Sequence, residues 1–270
     1  MNQNIAKVIL PLAALSCAQG RMLAQDTARP NILYIMCDDH AMQAISAYGS
    51  PISKLAPTPN IDRLAQRGML FRNCFVENSL STPSRACLMT GLYSHQNGQR
   101  QLAEGIDTTK TFVPELMQKA GYETGIVGKW HMMCRPKGFD YYYILDGQGK
   151  YYNPNFCTTG NYGKYKQEMG YATTLTTQHA IEFLDHRQKD KPFCLYVHHK
   201  APHRSWFAEP KHIGMYDGVD FPLPKTFWDN YENRGSAAKT QKMNIEKDME
   251  LILDFKIPEL LDTSDVESMA

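Results

Sequence analysis

The sequence lacks the features that would mark a nucleic-acid-binding or disordered protein. Its 270 residues carry 29 Lys and Arg against 28 Asp and Glu, a net charge of +1, with no basic block and no acidic tail. This balance gives no indication of a nucleic-acid partner. The hydrophobic fraction of 43% and the charged fraction of 21% are typical of a globular chain that can bury a sizeable core.

Paired cysteine motifs are also absent. No C-x-x-C pair occurs, so structural zinc and thioredoxin-like chemistry have no support. With Cys17 set aside, six cysteines remain: Cys37, Cys74, Cys87, Cys134, Cys157 and Cys194. An even number permits a disulfide, but the density is far below that of a disulfide scaffold. We expect most of these cysteines to be buried small apolar residues.

Residues 1–24 have the pattern of an export signal peptide. Lys7 provides a positive n-region, Val8–Leu15 a short apolar h-region, and Ala18-Gln19-Gly20 a small-residue cleavage site. The apolar run is too short to span a bilayer. Cys17 lies in a loose lipoprotein-type context, so a cleaved signal is favoured while lipidation stays open. The pattern predicts a periplasmic or outer-membrane-associated protein without a transmembrane segment.

Strand-like apolar runs alternate with helical patterns along the rest of the chain. NILYIM, ETGIVG and PFCLYVHH predict strands, the first buried on both faces, and Met69–Val76 is a further strand candidate. Helices are predicted over Pro59–Gly68, Thr82–Gly91, VPELMQKAGY and Thr174–Arg187. This alternation predicts an α/β fold with a mostly parallel sheet flanked by helices.

Polar or ionisable groups directly follow each of four predicted strands. They are Asp38-Asp39, Ser81–Arg85, Lys129–His131 and Lys200–His203. Ligands bind at the carboxyl ends of the strands in an open parallel sheet, so we expect these groups to converge on one site. The Tyr- and Gly-rich segment Phe139–Tyr171 is predicted to be a long functional loop or insertion.

The first two groups each allow a functional and an ordinary structural interpretation. Asp38 and Asp39 repel each other unless a cation lies between them, and oxygen-only ligands suit calcium or magnesium. One of them could equally cap a helix or turn. Ser81 precedes a helix start that favours an anion, and Arg85 can fork onto oxygens. Taken alone, that stretch is more often a capped helix than a nucleophile.

The other two groups are similarly ambiguous in isolation. Lys129 and His131 flank Trp130, so in extended backbone they point to the same side, which suits an anionic substrate and acid–base chemistry. A surface lysine and a packed histidine explain the pair as well, and His203 has the same two interpretations. His198 and His199 are predicted to be core or supporting residues.

Four motifs in this order resemble those of the type I sulfatases, in the alkaline-phosphatase-like superfamily. Ser81–Ala86 followed by Leu88–Gly91 is similar to (C/S)-x-P-S-R-A-x-L-x-T-G, and Gly128–His131 to G-K-W-H. Ala201-Pro202-His203 resembles the family's A-P-H, and Asp38-Asp39 its acidic pair. The resemblance implies that residues 28–270 form a sulfatase N-terminal catalytic domain, incomplete at the C-terminus.

The resemblance also implies cofactors and roles. Ser81 would be the precursor of formylglycine, made by a dedicated maturase of the bacterial serine type. Calcium would be held by Asp38, Asp39 and residue 81. The implied roles of the remaining residues are diol stabilisation by Arg85, sulfate binding by Lys129, turnover of the formylglycine hemiester by His131, and proton donation to the leaving alcohol by His203.

The sequence departs from complete sulfatases in its last part. Those proteins add a second acidic pair after a later apolar strand, another lysine and a smaller C-terminal subdomain, which this sequence lacks before Ala270. Asp229-Asn230 is rejected as a substitute because the preceding stretch, Lys225–Trp228, is loop-like. We therefore expect an N-terminal portion of a sulfatase, and weak calcium binding because affinity follows ligand number.

Two segments, His198–Tyr216 and Phe221–Ala238, resemble bacterial sulfatases that act on N-acetylglucosamine-6-sulfate in host glycans. Candidate sugar-stacking residues are Trp206, Phe207, Trp228 and Tyr231, for which ordinary packing is as good an explanation. Two alternative functions stay open. One is a phosphodiesterase or phosphonate hydrolase on the same scaffold, and the other is a catalytically inactive fragment that at most binds sulfated glycans.

Overall fold

The computed structural model describes residues 29–256, so the predicted signal peptide and Cys17 lie outside the described residues. Its strands are β1 (Ile32–Met36), β2 (Glu123–Gly128), β3 (Tyr141–Leu145), β4 (Asn155–Thr158), β5 (Lys166–Gln167) and β6 (Phe193–His198). Its α-helices are α1 (Pro59–Arg67), α2 (Ser81–Thr90), α3 (Ser94–Asn97), α4 (Val113–Lys119), α5 (Ala172–His186) and α6 (Ser236–Thr240). Short 3-10 helices lie at Met42–Ala44, Ser46–Tyr48 and Pro210–His212. Within the described residues, no helix is both long and apolar enough to cross a membrane.

The six strands form one sheet in the order β1-β6-β2-β3-β4-β5. The first three pairings are parallel and the last two are antiparallel. The predicted α/β class with a mostly parallel, mixed sheet is therefore confirmed. Of the two interpretations of Phe139–Tyr171, the long loop is wrong, because this segment supplies β3, β4 and β5. Its tyrosines favour strands once they can pack on a sheet face.

Two hydrophobic cores cover the two faces of the central strands. Ile126 of β2 and Tyr196 of β6 belong to the core that includes residues of α2. The neighbouring Val127 and Leu195 belong to the core that contains Phe183 of α5. Successive strand residues point to opposite faces, so β2 and β6 are buried on both sides. These two strands therefore form the rigid centre of the fold.

Strand β1 differs from the prediction of burial on both faces. It lies at an edge of the sheet, and Leu33 and Ile35 are 49% and 53% exposed. The predicted strand at Met69–Val76 is wrong, since this segment is irregular and Phe75 is 88% exposed. An apolar run becomes a strand only beside a partner that completes its hydrogen-bond ladder, and the described residues place none there.

The cysteines match their prediction in part. All six described cysteines are free, and Cys87, Cys157 and Cys194 are buried. Cys134 is half-buried, whereas Cys37 and Cys74 are exposed. Local apolar context could not indicate this exposure, because both exposed residues lie at the uncovered β1 side of the sheet.

Candidate active site

The parallel register brings the ends of β1, β6 and β2 together. His198, the last residue of β6, pairs with Met36 on one side and Gly128 on the other. The backbone N–H of Lys129 donates to the His198 carbonyl oxygen at 2.7 Å. Gly128 has φ +90°, and a Cβ on it would lie 2.1 Å from that same oxygen. Only glycine therefore fits the turn that delivers Lys129 to the site.

Asp38 is the buried anion at the centre of the cluster, with 6% exposure. Its Oδ2 accepts a hydrogen bond from Arg85 Nη2 at 3.2 Å and another from the Lys129 ammonium. Burial would raise the pKa of Asp38, but the hydrogen bond and charge of Lys129, together with Arg85, outweigh it. The pKa of Asp38 consequently lies below its usual value.

Lys129 is fully buried and donates to Gln148 Oε1 as well as to Asp38. Burial lowers its pKa to about 8 even though Asp38 opposes the change. The side chain is thus still an ammonium at neutral pH, with three N–H donors of which two have protein partners. Within residues 29–256 the third donor has no hydrogen-bond partner.

Arg85, 3% exposed on α2, is held by groups from three strand ends. Besides Asp38, its Nη1 donates to the Lys129 carbonyl at 2.6 Å and to His198 Nδ1 at 3.1 Å. Burial, followed by the charge of Arg85, lowers the pKa of His198 well below its usual value. His198 is therefore a neutral acceptor that orients the guanidinium, in keeping with its prediction as a supporting residue.

Ser81 is the first residue of α2 and is half-buried. It lines a cavity of about 850 Å³ together with Asp38, Asp39 and Arg85. The capped-helix interpretation does not hold, because Leu80 occupies the cap position and makes no side-chain cap bond. Ser81 reaches the site through the start of α2 rather than from a strand end, since the strand predicted before it does not form.

His131 reaches the site by a different backbone path from the one predicted. Its φ of 50° is left-handed rather than extended. The ring Nδ1 lies 3.4 Å from Thr82 Oγ1, beside the start of α2. Burial, followed by the charges of Lys129 and Arg85, lowers its pKa to about 4. His131 is therefore a neutral proton acceptor at physiological pH.

His203 and Asp39 lie on the cavity side of the cluster. His203 Nδ1 donates to the Arg204 carbonyl, which leaves Nε2 directed toward Asp39 Oδ2 at 3.6 Å. Ligand atoms of Asp38, Asp39 and His203 all lie within 4.8 Å of one another. The two carboxylates are hard oxygen donors of the kind that calcium prefers, and 60% exposure of the Asp39 side chain leaves it accessible. These residues fit a calcium ion.

The candidate sugar-stacking residues separate into two kinds. Phe207 packs against Tyr151 and Tyr152, and Trp228 packs against Phe227 with ring centroids 4.7 Å apart. Trp206 is 40% exposed and has no ring partner among residues 29–256. Trp228 is 85% exposed, and Tyr231 is half-buried.

Asp229 and Asn230 make their contacts within their own loop. Asp229 pairs with Arg234 at 2.5 Å, and Asn230 accepts a hydrogen bond from the Glu232 backbone N–H at 3.0 Å.

Three residues of this region had no role predicted from the sequence. Gln148 contacts Lys129, Lys200 is buried beside the cluster, and the Tyr151 hydroxyl donates to the His203 carbonyl at 2.6 Å. The only sequence signal for Gln148 was the pair of flanking glycines, which indicates a tight turn. Lys200 was expected at the site only as the first residue of the group Lys200–His203, with no role of its own.

The sulfatase family profile matches residues 30–246. The chain belongs to the sulfatase family. It is 45% identical over 261 residues to an N-acetylglucosamine-6-O-sulfatase of Bacteroides thetaiotaomicron, with 95% of this chain and 46% of that sulfatase covered. It is 31% identical over 263 residues to the human N-acetylgalactosamine-6-sulfatase, covering 84% of this chain and 47% of the human protein.

A solved structure shares the fold of this sulfatase-family chain. A protein in complex with its substrate D-glucosamine-2-N,6-O-disulfate superposes with a TM-score of 0.82 and 45% identity, over 89% of this chain and 47% of that one. The alkaline-phosphatase-like fold implied by the motifs is therefore confirmed. The chain spans about half the length of the curated relatives it matches.

Proposed function

We propose that this protein is an exported sulfatase that hydrolyses sulfate esters of sugars through a formylglycine made from Ser81 and a calcium ion. The observation that carries the proposal is the convergence of Asp38, Asp39, Ser81 and Arg85 on one cavity, with Lys129 hydrogen-bonded to Asp38. The carboxylates suit a metal, and the cations suit an anionic ester. A phosphate ester would meet the same charges, and similarity to sulfatases supports the sulfate ester as the substrate.

The favoured substrate class is 6-O-sulfated N-acetylglucosamine or glucosamine. Support comes from the bacterial relative that is an N-acetylglucosamine-6-O-sulfatase and from the solved complex with D-glucosamine-2-N,6-O-disulfate. Trp206, exposed and without a ring partner within residues 29–256, offers a face on which a sugar can stack.

In the proposed mechanism, Asp38 and Asp39 would hold the calcium ion together with an oxygen on residue 81. When bound there, calcium would polarise the sulfate group, and the hydrated aldehyde would supply the oxygen nucleophile. Lys129 binds the ester oxygens with its free N–H. Arg85 holds the oxygens at residue 81 in place.

The two histidines carry protons in this mechanism. His131, neutral above pH 4, accepts a proton from residue 81. In its doubly protonated form, His203 passes the Nε2 proton to the leaving alcohol, because its Nδ1 proton is held by the Arg204 carbonyl. Their separate positions, one beside Thr82 and one beside Asp39, allow different proton-transfer roles.

Mass spectrometry of the Ser81 peptide tests the proposal most directly. The chain is co-expressed with a serine-type maturase, and conversion of the Ser81 –CH2OH group to an aldehyde removes two hydrogens from that peptide. Ser81→Ala, which offers no hydroxyl, is the matched control. Unmodified serine beside a control substrate that the same maturase does convert would refute the formylglycine.

Activity on paired substrates then separates the alternatives. Matured protein is assayed for sulfate release from N-acetylglucosamine-6-sulfate and for phosphate release from N-acetylglucosamine-6-phosphate. We expect sulfate release to dominate and Ser81→Ala to abolish it. Faster phosphate release would favour the phosphohydrolase alternative. Binding of the sulfated sugar without turnover by protein that carries the aldehyde would favour the inactive glycan-binding alternative.

A further inference from the structure

Lys200 is a buried cation that the proposed mechanism does not use. It lies two residues after the end of β6 and is 7% exposed. Within residues 29–256 its ammonium makes no hydrogen bond and no ion pair; its contact is with the face of the Tyr151 ring, 4.9 Å from the centroid. Burial lowers its pKa, whereas the charges of Asp38 and Asp39 act in the opposite direction.

An ammonium on a side chain that is only 7% exposed loses part of its hydration. Burial of a charge is unfavourable unless a counter-charge and hydrogen bonds replace the lost water, and a cation–π contact replaces only part of them. Asp38 already serves both Arg85 and Lys129. The nearest contact of Asp39 is to His203 rather than to a lysine. Lys200 is thus the cation of this cluster without a carboxylate of its own.

The backbone ties Lys200 closely to the site. Its carbonyl accepts the His203 N–H at 3.1 Å, and the next carbonyl, that of Ala201, accepts the Asp38 N–H at 3.2 Å. Tyr151, which lies under the ammonium, also holds the His203 carbonyl at 2.6 Å. One turn therefore carries both the proton donor of the mechanism and an unpaired positive charge.

We propose that Lys200 is a further substrate-binding residue, whose ammonium binds the sulfate group of the substrate alongside Lys129 while the Tyr151 ring supports it. This inference rests on the proposed function, since it names an additional contact in the same site. The bound sulfate supplies the counter-charge and the hydrogen-bond acceptors that the protein does not provide.

Equilibrium binding of N-acetylglucosamine-6-sulfate tests the proposal without requiring turnover. Calorimetric titrations compare the full chain, Lys200→Met, Lys200→Arg and Lys166→Met, with unsulfated N-acetylglucosamine as the reference ligand. Loss of one charge-assisted contact weakens binding about 10- to 100-fold, which we expect for Lys200→Met. Lys200→Arg retains most of the affinity because it keeps the charge. Lys166→Met, which removes an equal charge from exposed β5, leaves binding unchanged.

Thermal unfolding of the same variants separates binding from folding. Lys200→Met removes an unpaired buried charge and keeps the apolar stem, so we expect an equal or higher Tm together with weaker binding. A lower Tm in parallel with weaker binding would indicate a structural role and overturn the proposal. Unchanged affinity in Lys200→Met would overturn it while leaving the proposed function intact. If the full chain does not distinguish the sulfated from the unsulfated sugar, the proposed function itself fails.

Discussion

The buried ammonium of Lys129 makes a quantitative prediction about stability and pH. Burial lowers its pKa from 10.5 to about 8, with Asp38 opposing the change. Each pH unit between these values corresponds to about 1.4 kcal/mol, so the charged side chain costs the folded state about 3 kcal/mol at neutral pH. Between the two pKa values the unfolded chain binds more protons than the folded chain. Stability due to this group therefore rises as the pH increases from about 8 to 10.5.

Urea unfolding in the presence of a chelator measures this effect at a series of pH values. Relative to Lys129→Met, the free energy of unfolding of the natural chain should rise by about 3 kcal/mol across that interval. The cysteines titrate in both proteins, so their contribution cancels in the difference. Lys166→Met, which removes an exposed lysine, should run parallel to the natural chain. Parallel profiles for Lys129→Met and the natural chain would refute the reasoning.

Three further outcomes are expected. Gly128→Ala places a Cβ 2.1 Å from the His198 carbonyl oxygen and should lower the free energy of unfolding by about 3 kcal/mol or more. In the control Gly147→Ala, which has φ +51° but open space around the Cβ, the free energy of unfolding should fall by about 1 kcal/mol. Since the pKa of His131 is about 4, the acidic limb of kcat/KM of matured protein should lie near pH 4, and an acidic limb near 6.5 would contradict the neutral-acceptor role. Calcium should raise the Tm of the natural chain. In Asp39→Asn, the calcium concentration that gives half of this rise should be at least about tenfold higher. Equal half-rise concentrations would exclude Asp39 as a ligand.

The sequence predicted the central part of the fold because local patterns decide it. The continuous apolar runs of β2 and β6 correspond to strands that are buried on both faces. The predictions failed where a distant partner decides the outcome. Met69–Val76 is as apolar as a strand but has no ladder beside it among the described residues, and β1 is equally apolar yet lies at an edge. Apolar periodicity measures the tendency to be buried and does not identify what provides the burial.

The sequence patterns predict which residues lie at the site but not which of them contact one another. Placement at strand ends brought Asp38, Lys129 and His203 into one region before any contact was known. The sharing of one carboxylate by Arg85 and Lys129 could not be predicted, because it depends on the position of α2 relative to the sheet. The role of Gln148 could not be predicted either, because a neutral glutamine between two glycines carries no chemical signature of its own.

The site destabilises the fold, and its position explains how this destabilisation is tolerated. Asp39 and His131 both adopt left-handed φ values, Gly128 is pressed against a carbonyl, and Lys129 is an ammonium with no exposure. Each of these features opposes folding, and together they lie at the ends of β1 and β2. Strand β2 and its neighbour β6 are packed on both faces by separate hydrophobic cores. A strand that is buried on both faces therefore holds Gly128, Lys129 and His131 in place, which keeps the charge of Lys129 preorganised.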